Sequence, residues 1–453
     1  MITVLKFGGT SVGSAEALKR AANIIVAEKN DKVAVVSAMS GITNFLVGAL
    51  EDKNVDLEEV YTKFEERHMT VAGEIFDEER FESFRKDFDE RFSQFKALLN
   101  DRDNWNDPFF KDNVSSQGER FSSLMLAHLI SSMGYKSVAL TSEMAGVYAI
   151  GNPLSGSCDL KKTSVSMAMN VRPMVESGVI PIITGFYGIN EDGKPLTFGR
   201  GGSDYAASAI GNALDADMVE IWTDVNGFMS ADPRLVPDAV SIEEMNYSEA
   251  AELAYFGAKV LHPRTIEPAR MKHIPVKIKN SYQPEHPGTL IHNLRKKRDA
   301  LLKSVAMKSD LSIVTLRSGE IAYRPKLMAK ALDKFGEVDA IYGVSTSLST
   351  MAFLIHNNDV PKALGNLRDM DLEDLEGIDV KSGVALICAV GDDLLDRSGF
   401  SGEVFGAVKD IGANVEMISE GASDVSLNFV VPTESAADVI KILHSRFVSG
   451  VEQ

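Results

Sequence analysis

The stretch TVLKFGGTSV, residues 3–12, decides the fold because an apolar strand runs directly into paired glycines. Thr3 to Phe7 has the pattern of a buried β-strand, and a helical pattern follows from about Ala15 to Lys29. A second apolar run, Val33 to Ser37, continues the alternation. Short apolar runs that alternate with helices predict parallel strands joined by crossover helices, so the expected fold class is α/β.

Two later apolar runs end in the same way. Val179 to Thr184 (VIPIIT) and Met218 to Thr223 (MVEIWT) each stop where polar residues or glycine begin. In open α/β sheets ligands bind outside the carboxyl ends of the strands. We therefore expect the substrate crevice at these strand ends.

The segment from about Leu57 to Leu99 has a different pattern, with five phenylalanines at three- and four-residue steps and charges between them. This spacing predicts a helix with one aromatic face. The face either packs against its own domain, the commoner use of such a helix, or forms a groove for a partner. The phenylalanines are Phe81, Phe84, Phe88, Phe92 and Phe95.

Composition excludes several classes of function. The net charge of -18 argues against sequence-independent binding of nucleic acid or of an anionic membrane, since both need a surplus of Lys and Arg. No apolar run approaches the roughly 20 residues that span a bilayer, and the N-terminus has no secretory signal pattern. Cys158 and Cys388 have no nearby Cys or His that would complete a zinc site. We expect a cytoplasmic protein without a protein-built metal site, nucleic-acid partner or membrane partner.

The 453 residues predict two or three domains. A Pro- and Gly-containing stretch with a basic cluster, Pro284 to Arg298, predicts a boundary, so a catalytic domain is expected at 1–295. Beyond this boundary a strand, a helix and a further strand recur after roughly 75 residues. The repeat predicts two small α+β units, at 305–375 and 376–453, or one structure in which the two are intertwined. The copies run through Leu311–Leu316, Lys326–Phe335 and Val338–Tyr342, and through Val384–Val390, Gly402–Ile411 and Val415–Ser419.

The first segment with chemical potential is KFGGTSV, residues 6–12. Paired glycines let backbone amides approach phosphate oxygens, and the following helix N-terminus favours an anion. Lys6 supplies the compact positive charge that a transferring phosphoryl group requires. The spacing matches neither the GxxxxGK[ST] loop nor the GxGxxG fingerprint, so a purely structural turn is an equal alternative.

The second segment, FGRGGSD at 198–204, is harder to explain as structure alone. A fixed guanidinium such as Arg200 holds a carboxylate through two parallel hydrogen bonds. Asp204 would position Lys6 or the reacting oxygen. Alternatively, Ser203 or Asp204 caps a helix from Tyr205 to Leu214, and the two roles are compatible.

Two further segments follow along the chain. WTDVNGF at 222–228 places Thr223 and Asp224 at a strand end, and Arg234 of ADPR can reach phosphates if its loop folds over. Asp232 before Pro233 is interpreted as an ordinary turn. In FGAKVLHP, residues 256–263, Lys259 precedes apolar residues and His262 is expected to be structural rather than a base.

Together these motifs, with SAMSGITN at 37–44, closely resemble those of the aspartate kinases over essentially the whole chain. The resemblance implies the amino-acid-kinase fold, a three-layer α/β/α sandwich, followed by two ACT-like units. It also implies ATP and Mg²⁺ as the phosphoryl donor system. The implied reaction phosphorylates the β-carboxylate of L-aspartate to 4-phospho-L-aspartate, the first step towards lysine, threonine and methionine. A carboxylate with a reference pKa of about 3.9 is already ionised, so no general base is required.

The resemblance assigns roles to individual residues. Glu119, within SQGER at 116–120, would hold the substrate ammonium while Arg200 holds a carboxylate, which selects an amino acid. Met229, beside Phe228, departs from an aromatic position in the family's nucleotide loop. The implied nucleotide contacts are Lys6, Phe7, Gly8, Gly9, Thr223, Asp224, Arg234, Lys259 and Val260, the substrate contacts are Ser37, Thr43, Glu119, Arg200 and Ser203, and the catalytic residues are Lys6, Arg200 and Asp204.

The C-terminal units imply regulation by lysine or threonine, and Val338 and Asp339 match the edge of the family's effector pocket. The first unit departs from the second in its loop Ser318–Lys326, which holds bulky residues and Pro325. The alternative is that the units serve only as contacts of a homo-oligomer, a dimer or tetramer. For the whole chain, the competing hypotheses are a kinase of the same fold for glutamate, acetylglutamate or carbamate, and a catalytically silent amino-acid sensor.

Overall fold

The computed structural model describes residues 1–52, 54–258, 260–294, 301–319, 321–336, 338, 340–368 and 375–448. The chain forms two compact units. The first comprises residues 1–228, 243–247 and 260–294, and the second comprises 229–242, 248–258 and the described residues from 301 onwards. Two short segments before residue 295 therefore belong to the second unit. The assignment of a catalytic domain to 1–295 and of ACT-like units to 305–375 and 376–453 stays a prediction.

The first unit is built on a sheet that has eight strands in the described residues, and all but one of its neighbouring pairs are parallel. This confirms the α/β class. The strands of this unit are β1 Ile2–Phe7, β2 Asp31–Val36, β3 Ser137–Leu140, β4 Ala149–Ile150, β5 Ser157–Cys158, β6 Ile180–Thr184, β7 Tyr187–Ile189, β8 Pro195–Thr197, β9 Met218–Thr223, β10 Glu244–Asn246, β11 Val276–Asn280 and β12 Thr289–His292. The order in the sheet is β10-β12-β11-β9-β1-β2-β6-β3, and β11 with β12 is the antiparallel pair.

Helices cover both faces of this sheet, as the resemblance implied. They are α1 Ala15–Ala27, α2 Ile42–Glu51, α3 Leu57–Ile75, α4 Glu78–Leu99, α5 Pro108–Ser115, α6 Gln117–Ser132, α7 Ser142–Ala145, α8 Leu160–Asn170, α9 Arg172–Glu176, α10 Gly202–Leu214 and α12 Glu267–Met271. The remaining helix before residue 295 is α11 Tyr247–Phe256. All of α11 except its first residue belongs to the second unit.

The alternation of side chains along β1 decides what each face can do. Leu5 and Phe7 pack into the core that includes α1 and α6. Val4 and Lys6 point to the opposite face, because successive side chains of a strand alternate. There α10 lies so close that a Cβ on Gly211 would come within 2.5 Å of Val219 and 4.0 Å of Val4. Lys6 therefore faces the layer that contains α10.

The aromatic face of α4 is a packing surface. Phe84, Phe88, Phe92 and Phe95 are buried together with Phe64 of α3, and Phe81 is partly buried against the same core. The rings of Phe88 and Phe121 of α6 lie 4.9 Å apart. The interpretation of this face as a helix packed on its own domain is confirmed.

The second unit contains one antiparallel sheet with six strands in the part of the chain described. Its strands are β13 Ser304–Arg317, β14 Ile341–Thr346, β15 Thr350–His356, β16 Gly377–Val390, β17 Met417–Ser419 and β18 Ser426–Pro432, in the order β14-β15-β13-β16-β18-β17. Its helices are α13 Pro325–Phe335, α14 Val360–Arg368, α15 Phe400–Asp410 and α16 Thr433–Leu443, followed by a π-helical turn His444–Val448.

The predicted repeat appears as two halves of this single sheet. α13 and α14 pack with one buried cluster that includes Phe335 and Phe353. α15 and α16 pack with a second cluster that includes Phe400 and Phe429. The long strands β13 and β16 pair with each other, so they join the two halves through backbone hydrogen bonds.

Among the described residues, no helix combines the length and the apolar character that crossing a bilayer requires.

Candidate active site

A cavity of about 380 Å³ opens in the first unit where β1 and β2 end. Four of the motifs that the sequence singled out contribute to its wall. The predicted site residues in its lining are Lys6, Gly9, Ser37, Thr43, Glu119, Arg200, Ser203 and Asp204. Lys6 and Arg200, far apart in sequence, thus share one cavity.

Lys6 forms an ion pair with Asp204. Its Nζ lies 2.5 Å from Oδ1 of Asp204, and the two side chains are only 9% and 17% exposed. Asp204 lies in the first turn of α10, where the positive end of the helix dipole favours a carboxylate. This geometry orients the ammonium group of Lys6 towards the cavity.

The predicted capping role of Ser203 or Asp204 is wrong. α10 begins at Gly202, three residues before the predicted start at Tyr205, and its N-cap is Gly201 without a side-chain hydrogen bond. Gly201 has a left-handed φ of 67°, which an L-residue adopts only with strain. A glycine at the cap moves both polar residues into the first turn, where Asp204 is free to pair with Lys6.

The paired glycines after β1 serve packing as well as access. A Cβ on Gly9 would come within 2.9 Å of the carbonyl oxygen of Ala38, so this position requires glycine. A Cβ on Gly8 would lie 3.4 Å from Nζ of Lys6. The structural explanation therefore holds at Gly9, while the absence of a side chain at Gly8 leaves the space beside the lysine open.

Glu119 is buried in the cavity wall, with an exposed fraction of 2%. Among the described residues its Oε2 has no hydrogen-bond partner. Burial raises the pKa of Glu119 to about 8, although backbone hydrogen bonds from Ala38 and from Glu119 itself and the charges of Lys6 and Arg120 oppose the rise. A buried carboxyl group with an unused oxygen is suited to a cationic ligand group such as an ammonium.

Arg200 is exposed and lies between Gly199, with φ 71°, and Gly201. Within the described part of the chain, no hydrogen bond or ion pair is formed by its guanidinium group. A guanidinium without a protein partner at the mouth of a cavity can bind a carboxylate of a ligand through its two-pronged donor face.

The predicted nucleotide contacts fall in different places. Thr223 and Asp224 follow the end of β9, where the Thr223 hydroxyl donates to Oδ1 of Asp224 at 3.1 Å. The Phe7 side chain is fully buried and stacked on Trp222, with 6.2 Å between ring centroids, so that only its backbone could contact a ligand. Val260 is half-buried in the first unit, and Lys259 lies outside the described residues.

Arg234 belongs to the second unit and its side chain is 85% exposed. Its guanidinium pairs with the carboxylate of Asp232 at 2.5 Å, and Oδ1 of Asp232 also accepts from the Arg234 backbone N–H at 2.9 Å. Asp232 is therefore more than the turn residue that the sequence suggested. Of the predicted effector residues, Val338 is half-buried in this unit and Asp339 lies outside the described residues.

Sequence reasoning missed Phe186, which also lines the cavity. Its φ of 73° is left-handed, which is uncommon and strained for a bulky residue. Strained backbone conformations of this kind are concentrated at functional sites. A signal was present, because Gly185 and Phe186 directly follow the strand that was predicted to end at the crevice. His262 behaves as the structural residue that was expected, and its Nδ1 accepts from the Arg264 backbone N–H at 3.3 Å.

Comparison with known proteins places this geometry in a family. Residues 1–280 match the amino acid kinase family, and residues 387–447 match the ACT domain. The chain is 31% identical to the lysine-sensitive aspartokinase 3 of Escherichia coli, over 98% of each chain. It is also 31% identical to the chloroplastic aspartokinase 2 of Arabidopsis thaliana, over 98% of this chain and 84% of that protein.

Solved structures agree with the sequence relatives. A crystal structure of Escherichia coli aspartokinase III in complex with aspartate and ADP superimposes with a TM-score of 0.85 at 29% identity, covering 99% of this chain and 100% of that one. The same enzyme in complex with lysine and aspartate gives a TM-score of 0.84 at 29% identity, covering 98% of this chain and 99% of that one. This chain therefore belongs to the aspartokinases of the amino acid kinase family.

Proposed function

We propose that this aspartokinase transfers the γ-phosphoryl group of ATP to the β-carboxylate of L-aspartate, which gives ADP and 4-phospho-L-aspartate. The observation that carries the proposal is the single cavity that joins the buried Lys6, the guanidinium of Arg200, unpaired among the described residues, and the buried carboxyl group of Glu119. These groups match the charges of an acidic amino acid beside a nucleotide. The related Escherichia coli enzyme was solved with aspartate and ADP.

The site binds both the negative and the positive groups of the substrate. Arg200 binds a carboxylate, and Glu119 in its ionised form binds the ammonium group. The hydroxyl groups of Ser37, Thr43 and Ser203, all in the lining of the same cavity, supply further hydrogen bonds. A substrate without an α-amino group leaves Glu119 without its cation, which selects for a free amino acid.

The chemical step needs no proton removal, because the attacking carboxylate is already ionised at neutral pH. Catalysis rests on positioning and on stabilising the charge that develops on the transferred phosphoryl group. The positive charge of Lys6 stabilises the negative charge of the phosphoryl group. Asp204 holds the ammonium group of Lys6 in place, with 2.5 Å between Nζ and Oδ1. No Ser/His/Asp arrangement is therefore required.

The nucleotide is bound by the backbone of Gly8 and Gly9 with Thr223 and Asp224, and Arg234 and Lys259 remain predicted contacts. Mg²⁺ usually keeps several waters and is held by one or two carboxylates together with substrate phosphates. The described residues contain no cluster of three or more His, Cys, Asp or Glu side chains that could hold a metal ion by themselves. Asp224, exposed at the end of β9, is the carboxylate we assign to it, and the ion would neutralise phosphate charge there.

We further propose regulation by lysine, with the second unit as the sensor and a cytoplasmic homo-oligomer, a dimer or tetramer, as the working form. Support comes from the ACT match at residues 387–447 and from the lysine sensitivity named for the Escherichia coli relative. Threonine, the other effector that the sequence suggested, has no corresponding support.

Hydroxylamine trapping tests the reaction, because an acyl phosphate forms a hydroxamate only when a carboxyl group has been phosphorylated. The enzyme would be incubated with ATP, Mg²⁺ and L-aspartate, L-glutamate, N-acetyl-L-glutamate or carbamate, with hydroxamate and ADP measured together. We expect hydroxamate with L-aspartate at least about a hundredfold above the other acids, a ratio that unsatisfied polar groups in the site can provide. Preference for another acid would reassign the substrate, and no ADP release with any acid would favour the silent sensor.

A further inference from the structure

The loop that carries Arg200 needs support from outside itself. Residues 198–204 contain Gly199, Gly201 and Gly202, two of them with positive φ, and the Arg200 side chain has no partner among the described residues. Glycines increase the conformational freedom of a loop. A substrate-binding group must nevertheless be held close to its productive geometry.

Arg264 provides such support at the start of the loop. Its guanidinium donates from Nη1 to the carbonyl oxygen of Phe198 at 3.3 Å. The same group donates from Nη2 to the carbonyl oxygen of Gly156 and to Oγ of Ser157, both at 3.0 Å. Ser157 lies in β5, so Arg264 ties the loop to an element outside it.

The same guanidinium also supports the end of the loop. It lies over the ring of Tyr205, with 5.1 Å between Cζ and the ring centroid. Tyr205 directly follows Asp204, and its hydroxyl accepts from the backbone N–H of Cys158 in β5 at 3.1 Å. The Phe198 and Tyr205 rings meet edge to face at 5.1 Å. Both ends of the loop are thus fixed by one arginine.

The middle of the loop is fixed by the same short segment of chain. A Cβ on Gly201 would come within 2.4 Å of Cβ of His262, so the backbone beside Arg200 packs directly on the residue two before Arg264. Arg264 itself is half-buried, and it carries a positive charge as Arg200 does, so the two side chains do not attract each other. Its contacts are to carbonyl, hydroxyl and aromatic groups, and the structure shows it in no ion pair with the residues described.

We propose that Arg264 is a positioning residue, which holds the loop so that Arg200 presents its guanidinium to the substrate carboxylate. The proposal rests on the proposed function, in which Arg200 binds aspartate. Three donors in a planar fork with an aromatic stack are specific to arginine, so lysine can replace the charge of Arg264 but not its geometry. Loss of Arg264 should weaken aspartate binding and leave ATP binding unchanged.

A double-mutant cycle on the full-length enzyme tests this. Arg264→Gln should raise the KM for aspartate about tenfold, with the KM for ATP and kcat within about twofold of wild type. Arg200→Ala should raise the aspartate KM by a larger factor. In the Arg200→Ala background, Arg264→Gln should cause no further rise, because the loop then has no clamp to position. A purely structural role for Arg264 would give additive effects.

The matched control is Arg270→Gln. Arg270 pairs with Glu267 on α12 at 2.7 Å and touches none of the loop, so aspartate KM should not change. Ser157→Ala removes one acceptor of Arg264 without altering the arginine, and we expect a rise of about threefold that also disappears in the Arg200→Ala background. This variant decides the question if Arg264→Gln does not fold.

The outcomes separate the two claims. If Arg200→Ala raises the aspartate KM but Arg264→Gln and Ser157→Ala do not, the positioning role of Arg264 is overturned and the clamp stands. An additive rise in the double variant also overturns it. If Arg200→Ala leaves the aspartate KM unchanged, the clamp of the proposed function fails, and the Arg264 proposal fails with it.

Discussion

Lys6 and Asp204 form a buried pair whose two members have different tasks. Lys6 is 7% exposed, and burying an ammonium group requires an opposite charge close by. Asp204 supplies this charge and holds the lysine side chain in place before any nucleotide binds. The catalytic effect of the lysine and the stability of the pair can therefore be separated by mutation.

Lys6→Met should lower kcat at least about a hundredfold, the scale observed when one stabilising donor of a transition state is removed. It should also lower the melting temperature, because the Asp204 carboxylate is left in a site where only 17% of its side chain is exposed. In Lys6→Met/Asp204→Asn the melting temperature should recover while kcat stays low. Turnover close to wild type in either variant would remove Lys6 from the mechanism.

Glu119 should make aspartate binding depend on pH. Its pKa is raised to about 8 by burial, so it is mostly protonated at pH 6.5 and ionised above pH 8.5. Because only the carboxylate attracts an ammonium group, kcat/KM for aspartate should rise with pH through about 8 and level off above about 9. Glu119→Gln should abolish this rise, and a rise of equal size in that variant would assign it to another group.

The same pKa predicts an effect on stability with a definite sign. An acid with a folded pKa above its unfolded value of 4.5 binds its proton more tightly in the folded state, so it favours folding at low pH and this contribution is lost as pH rises through 8. Glu119→Gln should therefore melt at the same temperature as wild type at pH 5 and roughly 2 °C or more higher at pH 9. Equal melting temperatures at both pH values would contradict the raised pKa.

At this scale the sequence identified residue types but not their contacts. Lys6 and Arg200 were singled out because each lies beside glycines, and Glu119 was assigned because SQGER at 116–120 resembles a motif of the aspartate kinases. The sequence left both a pairing of Asp204 with Lys6 and a capping role open, and the N-cap at Gly201 with the earlier helix start rules out the cap. The position of Phe186 after a predicted strand was a usable signal, but its left-handed backbone was not predictable because strain at a single residue leaves no periodic pattern.

Elements were more predictable than single contacts, because their signals are local and repeated. The phenylalanine spacing predicted the packed face of α4, and the repeat of strand and helix appears as β13 with α13 and as β16 with α15. The pairing of β13 with β16 in one sheet could not be predicted, since it joins residues such as Leu316 and Ile378 that are distant in sequence. Local periodicity does not encode such a register.

A buried ion triad in the second unit links α11 to the chain just before β13 and just after β16. Nζ of Lys303 lies 2.6 Å from Oε1 of Glu249 on α11 and 2.8 Å from Oδ2 of Asp392, after β16. The Lys303 and Glu249 side chains are 5% and 0% exposed. Charges at this depth are stable only while they remain paired. The triad should therefore be critical for the stability of this unit.

Lys303→Met should cost about 3–5 kcal/mol of unfolding free energy, the range for removing one partner of a buried pair. The control is Lys381→Met, which breaks the 2.5 Å pair with Glu416 in the same unit, where Lys381 is 57% exposed and the expected cost is below about 1 kcal/mol. Hydrogen exchange of peptides from β13, read by mass spectrometry, reports on this unit directly. Equal exchange in the two variants would show that the triad is not critical.

At the scale of the whole molecule, the two compact units do not correspond to two continuous stretches of the chain. The boundary near residue 295 was predicted from Pro, Gly and basic residues. Composition gave no sign that residues 229–242 and 248–258 group with the second unit, because their burial depends on non-local packing such as that of Ala231 with Leu302. One consequence is that Arg234, a predicted nucleotide contact, belongs to the second unit.

If the second unit senses lysine, inhibition must arise from a difference in lysine affinity between active and less active arrangements. We expect lysine to raise the aspartate KM or lower kcat by a factor of about 5 to 150, the usual range of coupling between two sites. Threonine at equal concentration should have no effect. Norleucine, which lacks the ε-ammonium group, is the matched control and should also be inactive.

The decisive measurement is a titration of activity with each amino acid at aspartate concentrations near its KM, repeated with Asp339→Asn, a position outside the described residues. Because a carboxylate is the natural partner of the ε-ammonium, this substitution should weaken lysine inhibition at least about tenfold while basal activity is retained. Inhibition by threonine alone would reassign the effector. Insensitivity to both amino acids would leave the second unit with a role in oligomer contacts, since a ligand that does not discriminate between states shifts no population.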